Sequence, residues 1–249
     1  MSFRNALQAY IDDPDRFKDV ILYSDENALI IKDMYPKSIR HYLVIPKDKK
    51  VTHLHPLGAF KSDVSLFIKF DTYIEIAKRL IVDDLLESGL LSRNDSDKPY
   101  LSEFSSQFIK AGVHAVPSLN NLHIHVITND FFSSRLKNKK HYNSFTTAFF
   151  VDYSALEPKE ESDEEDPESS DSSCNTHSIS KIGDSFYLQL LKSTPMRCSY
   201  CGVLFGNKFL KLKDHLEIEF CQKFKVSKTE ASRIDPNEST RVLLTPKLN

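Results

Sequence analysis

The chain reads as an α+β fold, an antiparallel sheet covered by helices, followed by a small metal-held module. Three observations predict this. Leu122, Ile124 and Val126 alternate with His123 and His125, the period of two of a strand packed on a core. Residues 57–86 carry apolar side chains at helical spacing, among them Phe70, Tyr73, Ile74, Ala77 and Leu80, the pattern of one or two helices lying on a sheet. Cys198 and Cys201 form a Cys-x₂-Cys knuckle, with His215 thirteen residues further on.

In chain order, Phe3, Leu7, Tyr10 and Ile11 predict a short amphipathic helix ending near Asp13-Pro14. Residues 20–23 and 28–32 read as a hairpin around Ser24-Asp25-Glu26-Asn27. A loop with Asp33, Met34, Tyr35, Pro36 and Lys37 then leads to a strand that opens at His41. His53 and His55 stand two apart, but Pro56 follows at once, so they belong to a loop. Residues 87–100 are polar and end the helical region, and 107–113 read as a strand leading into the segment 112–130. Beyond it Arg135, Lys137, Lys139 and Lys140 crowd together beside Phe131, Phe132 and Tyr142. Cations bind phosphates and interleaved aromatics stack on bases.

Residues 153–178 are rich in Glu, Asp and Ser, too acidic to pack, and read as a disordered linker. It is a tether or a phosphorylation segment, with Ser162 and Ser172 as acceptors. The expected units are residues 1–152, a linker at 153–180, a finger at 181–225 and a fraying basic tail at 226–249.

Strand residues two apart share a face at about 7 Å, so His123 and His125 can straddle a phosphate. Neutral imidazole is a nucleophile at pH 7 and can carry a nucleotidyl group as a covalent intermediate. A second imidazole can donate to the phosphate oxygens. Taken alone, two such histidines serve equally for metal binding, catalysis or neither.

An ordinary finger takes its fourth ligand three to five residues after the first His, and no His stands there. Glu219, one helical turn on from His215, offers a carboxylate on the same face. Glu217 points elsewhere, and Cys221 would need a broken helix. The expected set is Cys198, Cys201, His215 and Glu219 around one structural Zn²⁺, because so small a module cannot build a large core.

The formal charge of the 249 residues is −2, but residues 157–171 hold nine acids against one Lys, which leaves the remainder at +6. A basic body suits a polyanionic partner. No stretch approaches 18 consecutive apolar residues and residues 1–17 are polar, so neither a membrane span nor a secretory signal is expected. Four cysteines make no disulfide framework here and point to a reducing compartment.

The run Asn121-Leu122-His123-Ile124-His125-Val126-Ile127 resembles the histidine-triad signature His-φ-His-φ-His-φ-φ, with Asn in place of the first His. Gly112-Val113-His114-Ala115-Val116-Pro117-Ser118 and Leu136-Lys137-Asn138-Lys139-Lys140-His141-Tyr142-Asn143-Ser144-Phe145 are similar to the aprataxin family of histidine-triad hydrolases. Its fungal members also use Glu as the fourth finger ligand. The resemblance implies a histidine-triad fold and removal of AMP from 5′-adenylated DNA left by abortive ligation, through a covalent His-AMP intermediate. It implies His123 as nucleophile, with His125, Ser118 and the Leu119 backbone at the phosphate oxygens and His114 assisting departure of the DNA. Asp33 matches a ribose-binding acid, and the loop with Met34, Tyr35, Pro36 and Lys37, together with Lys137 and Lys140, faces AMP or DNA. His41 matches a histidine near the active site, catalytic or structural. DNA as partner, AMP as product, a monomer and a nuclear location follow from the same resemblance. Asn121 can orient but cannot shuttle a proton at pH 7. Two other readings stay open: a hydrolase of dinucleoside polyphosphates or nucleoside phosphoramidates, and a non-catalytic binder of DNA ends.

Overall fold

The computed structural model describes residues 3–91, 98–158 and 183–234. A six-stranded, wholly antiparallel sheet forms the body. Its strands are β1 (Ile21–Ser24), β2 (Ala28–Lys32), β3 (His41–Pro46), β4 (Ile109–His114), β5 (Ile124–Thr128) and β6 (Phe150–Asp152), in the order β1-β2-β3-β5-β4-β6. Alternation assigns the two faces of β5. Ile124 and Val126 join Ile30 and Val44 in a core cluster with Tyr73, Ile74, Ala77 and Ile81 of the long helix α3 (Val64–Glu87). The short α2 (Pro56–Ala59) precedes that helix. His123 and His125 face the other side.

That side is covered by two separate pieces of chain. Leu7 and Tyr10, before and within α1 (Gln8–Asp12), pack on Leu29, Ile31, Leu43 and Ile45. Residues 129–146, which end in α5 (Lys139–Thr146), pack Phe131, Leu136, Tyr142 and Phe145 against Ile127. The histidine-bearing face is therefore a trough between these pieces. Beneath it, buried Arg40, just before β3, pairs with Asp84 of α3, and the hydroxyl of Tyr42 in β3 donates to the same carboxylate at 3.0 Å, fixing strand to helix.

Gly112 lets β6 close on β4. A Cβ there would meet the Val151 carbonyl oxygen at 2.3 Å and the Phe150 ring at 2.6 Å, so no other residue fits without moving β6.

Three expectations need correction. Residues 107 and 108 are not strand: they end a helix, α4 (Lys98–Phe108), which covers part of the segment expected to be loop. The linker does not begin at 153, because residues 153–156 form a 3₁₀ turn with Tyr153 and Leu156 buried in the core. The acidic stretch from 159 and the modification candidates Ser162 and Ser172 lie outside the described residues. Beyond 225 the chain makes one further turn, α8 (Lys228–Ala231), opened by a capping box between Ser227 and Glu230 and seated by buried Ala231.

The C-terminal module comprises α6 (Asp184–Ser193), the ribbon β7 (Met196–Arg197) and β8 (Leu204–Gly206), and α7 (Phe209–Phe224). It has no separate core. Met196, Cys198, Leu212 and Leu216 complete the cluster of Ile127, Phe131, Leu136 and Tyr142. Phe220 stacks on Phe132 at 4.4 Å. Polar ties run the same way: Ser199 to the Asn129 carbonyl at 3.1 Å, Tyr142 to the Arg197 carbonyl at 2.6 Å, and Lys213 to the Leu136 carbonyl at 2.9 Å. Asn143 donates to the Thr194 carbonyl at 2.9 Å, a group that the end of α6 leaves without a helical partner. Finger and body are one packed unit. No helix among the described residues is long and apolar enough to cross a membrane.

Candidate active site and metal centre

A cavity of about 570 Å³ opens over the histidine face. Asp33, Met34, Tyr35, Lys37, His41, His114, Ser118, Leu119, His123, His125, Lys137 and Lys140 all line it, although they come from five separated stretches of sequence. Pro36 does not. It is buried, and its carbonyl accepts from the Ser133 hydroxyl at 2.6 Å, which pins the loop carrying Tyr35 and Lys37. The wall also holds residues that the sequence did not single out for the site: Leu7 and Tyr10 at one end, His141 and Ser144 at the other, and Leu191 from α6. His141 sits inside a motif that was already quoted, so proximity in sequence to Lys140 was its signal. Leu191 had none, because it reaches the site only through the docking of the finger.

The orientation of the His123 ring is defined by hydrogen bonding. His123 Nδ1 lies 2.7 Å from the Asn121 carbonyl oxygen, so Nδ1 carries the proton and donates. The lone pair of the neutral ring is thereby left on Nε2. Asn121 itself is fixed, its amide donating to Gln8 at 2.8 Å and Thr52 at 3.1 Å. Where the first triad His is absent, Asn121 thus ties the carbonyl that accepts from His123 to α1 and to the loop before α2.

Behind His123 runs a chain of imidazoles. The Lys37 amide approaches His41 Nδ1 at 3.4 Å and can only donate, so His41 carries its proton on Nε2. His41 Nε2 is 2.9 Å from His125 Nδ1, which must then accept, and His125 keeps its own proton on Nε2. That nitrogen is buried and has no partner among the described residues. A donor is thus aimed at the cavity with nothing to receive it. Asp33 Oδ2 stands 3.3 Å from His41 Nδ1, so a proton arriving there meets a carboxylate.

Burial sets the charge state. Desolvation pushes His41 down to about 4, against a favourable but smaller effect of Asp33. Burial likewise lowers His123, and takes His114 and His125 well below the ordinary value, reinforced by the neighbouring imidazoles. The rings are neutral at pH 7. Lys37 is also lowered, first by burial and then by Arg135, with Asp33 opposing. The linkage has a definite sign. An unfolded His41 takes up a proton near pH 6.5, while the folded one refuses it until about pH 4. Stability therefore falls as pH drops through that window and levels off below it. Urea unfolding at pH 7.5, 6 and 5 should show a shallower pH slope for His41→Gln than for the wild type, and equal slopes would contradict the assignment.

The second centre lies in the finger. Ligand atoms of Cys198, Cys201, His215 and Glu219 all lie within 4.8 Å of one another. Cys201 Sγ is 3.1 Å from His215 Nε2, and Glu219 Oε1 is 3.1 Å from the same nitrogen. Zinc bonds of 2.0–2.3 Å in a tetrahedron place ligands roughly 3.3–3.8 Å apart, so this cluster fits a zinc ion with a small relaxation. The knuckle turn relies on Gly202 at φ +72°, where its amide closes onto the Cys198 carbonyl at 2.9 Å. His215 and Glu219 share one face of α7 at i, i+4. Glu217 instead approaches Lys228 at 3.7 Å, and Cys221 packs against the core away from the cluster.

Comparison with known proteins agrees with this geometry. Residues 6–141 match the family described as scavenger mRNA decapping enzyme C-term binding, and residues 146–222 match the C2HE / C2H2 / C2HC zinc-binding finger. The chain is 34% identical to an aprataxin-like protein of Saccharomyces cerevisiae, over 91% of this chain and 100% of that one. It is 36% identical to an aprataxin-like protein of Schizosaccharomyces pombe, over 88% of this chain and 82% of the relative. Among solved structures it is similar to the aprataxin ortholog Hnt3 in complex with DNA. The TM-score is 0.71 at 32% identity, covering 92% of this chain and 100% of that one.

Proposed function

The chain belongs to the aprataxin family, with its histidine-triad-like fold and C-terminal zinc-binding finger, and from that membership we propose that it removes AMP from 5′-adenylated DNA. The reading rests above all on one observation, the His123 ring held with Nδ1–H on the Asn121 carbonyl and Nε2 bare in the cavity. His123 Nε2 attacks the phosphorus of AMP, and the bond from that phosphorus to the oxygen of the DNA 5′-phosphate breaks. The DNA phosphate leaves with the electron pair, while the ring keeps its Nδ1 proton on Asn121. Water then attacks the same phosphorus, the bond from phosphorus to Nε2 breaks and returns its electron pair to His123, AMP is released, and the water's proton passes to solvent.

His125 Nε2–H donates to the phosphate oxygens, where negative charge concentrates in both steps. Ser118 and the Leu119 amide serve the same oxygens. His114, whose Nε2 is buried and unpartnered among the described residues, assists departure of the DNA phosphate. Little protonation is needed there, since a phosphate monoester has its second pKa near 6. Asp33 takes the ribose hydroxyls, and Leu7, Tyr10 and Leu119 supply an apolar seat for the adenosine. Lys37, Arg135, Lys137 and Lys140 line the remaining wall and suit the DNA phosphates. Hnt3 is described in complex with DNA, which supports a nucleic acid as the partner.

One zinc, held by Cys198, Cys201, His215 and Glu219, has a structural role: it folds the finger that backs residues 129–143. The site of action would be the nucleus, acting as a monomer. The deciding assay incubates the zinc-loaded chain with a nicked duplex bearing a 5′-adenylate. AMP and a 5′-phosphorylated strand are the expected products. Failure to release AMP, with efficient cleavage of a dinucleoside polyphosphate or an AMP phosphoramidate, would move the substrate class to small nucleotides.

A further inference from the structure

A second cavity of about 170 Å³ adjoins the first at His114 and His123. Its other side is formed by Arg4, His53, His55 and Asn120, and no carboxylate lines it. The loop histidines thus do not belong to the main trough, yet they line the same small cavity as His123. His55 Nδ1 accepts from the Leu57 amide at 3.4 Å, so its proton sits on Nε2 and is available as a donor. Asn120 is held in place by its own amide, which donates to Asn5 at 2.6 Å, and by its backbone N–H on the Arg4 carbonyl at 2.7 Å. His114 Nε2, between the two cavities, is buried without a partner among the described residues.

We propose that this second cavity is a phosphate-binding subsite, which receives a phosphoryl group other than the one attacked by His123. Arg4 gives the cavity a fixed positive charge, no carboxylate lines it to oppose that charge, and His55 offers an N–H donor, which together select an anion. Its volume admits a phosphate with part of a sugar but not a whole nucleotide. As a deepening of the adenylate-hydrolase reading, the occupant is a phosphate of the bound strand. Free inorganic phosphate offers the same chemistry.

The test uses the intact, zinc-loaded chain carrying Arg4→Ala with His55→Ala, with Lys49→Ala as a control at an exposed site away from the cavity. Inorganic phosphate binding is followed by ³¹P line broadening, and DNA affinity is followed across salt concentrations. The double variant should bind phosphate at least tenfold more weakly, and its log affinity against log salt slope should flatten by about one. Weaker phosphate binding with an unchanged DNA slope assigns the cavity to free phosphate. Phosphate binding equal to that of the wild type, in a variant with wild-type thermal unfolding, overturns the proposal. A wild-type chain that binds phosphate in an Arg4-dependent way but releases no AMP from adenylated DNA would sink the hydrolase reading and leave the subsite standing.

Discussion

His123→Ala should abolish AMP release from 5′-adenylated DNA, with a loss on the order of 10⁴-fold or more, because it removes the atom that forms the covalent bond. Acid quench of the wild type with labelled adenylated DNA should trap AMP on the protein, and this variant should trap none. DNA affinity should change little, since His123 carries no charge at pH 7. His125→Ala gives a different pattern: adduct still forms, but slowly, because His123 keeps its tautomer from Asn121 while the phosphate loses one donor. Loss of a single such donor costs roughly 10²- to 10³-fold. Undiminished adduct in His123→Ala would place the nucleophile on another ring. His125 is then the nearest alternative, its ring centroid 4.9 Å away.

Much of this site is legible in the sequence because strand periodicity is a local property. Alternation from Leu122 to Val126 assigns the two faces without knowledge of any partner strand, and the i, i+2 spacing puts His123 and His125 together. His215 and Glu219 are legible for the same reason, through the helical repeat. Helix α4 was not. Tyr100, Leu101, Phe104 and Phe108 recur at helical spacing, but the stripe is short and follows a polar run closed by Pro99, which reads as the end of a helix rather than the start of one. Tyr153 and Leu156 were hidden by the acids that follow them. The merging of finger and body was invisible for a more general reason. Phe132 on Phe220, or Tyr142 on the Arg197 carbonyl, joins residues far apart in sequence, and composition carries no record of such contacts. An acidic segment between two folded parts suggests a tether, but what it connects here is a shared core.

That shared core changes what zinc loss should do. Glu219→Ala removes one of four ligands and leaves Cys198, Cys201 and His215, a set too open to hold the module tightly. Zinc affinity should fall by more than the roughly 10- to 100-fold that losing an outer hydrogen-bond partner of a ligand costs. Since the binding free energy of a structural zinc is folding free energy, α7 should loosen from the body. Leu212, Leu216 and Phe220 would then withdraw from Ile127, Leu136 and Phe132, and Lys213 from the Leu136 carbonyl. These contacts back the segment that carries Lys137, Lys140 and His141, so the damage reaches the cavity wall. A freely tethered finger would affect only DNA binding. The docked finger predicts that Glu219→Ala lowers zinc content, DNA affinity and the cleavage of a small AMP phosphoramidate together. Glu219→His should largely restore all three, because imidazole completes an ordinary Cys₂His₂ set. Glu217→Ala should change none, its carboxylate being engaged near Lys228. Elemental analysis across the three variants, with both substrates assayed on each, separates the outcomes. Full zinc content in Glu219→Ala would remove Glu219 from the ligand set. Low zinc with an intact rate on the small substrate would show that the finger grips DNA without supporting the catalytic wall.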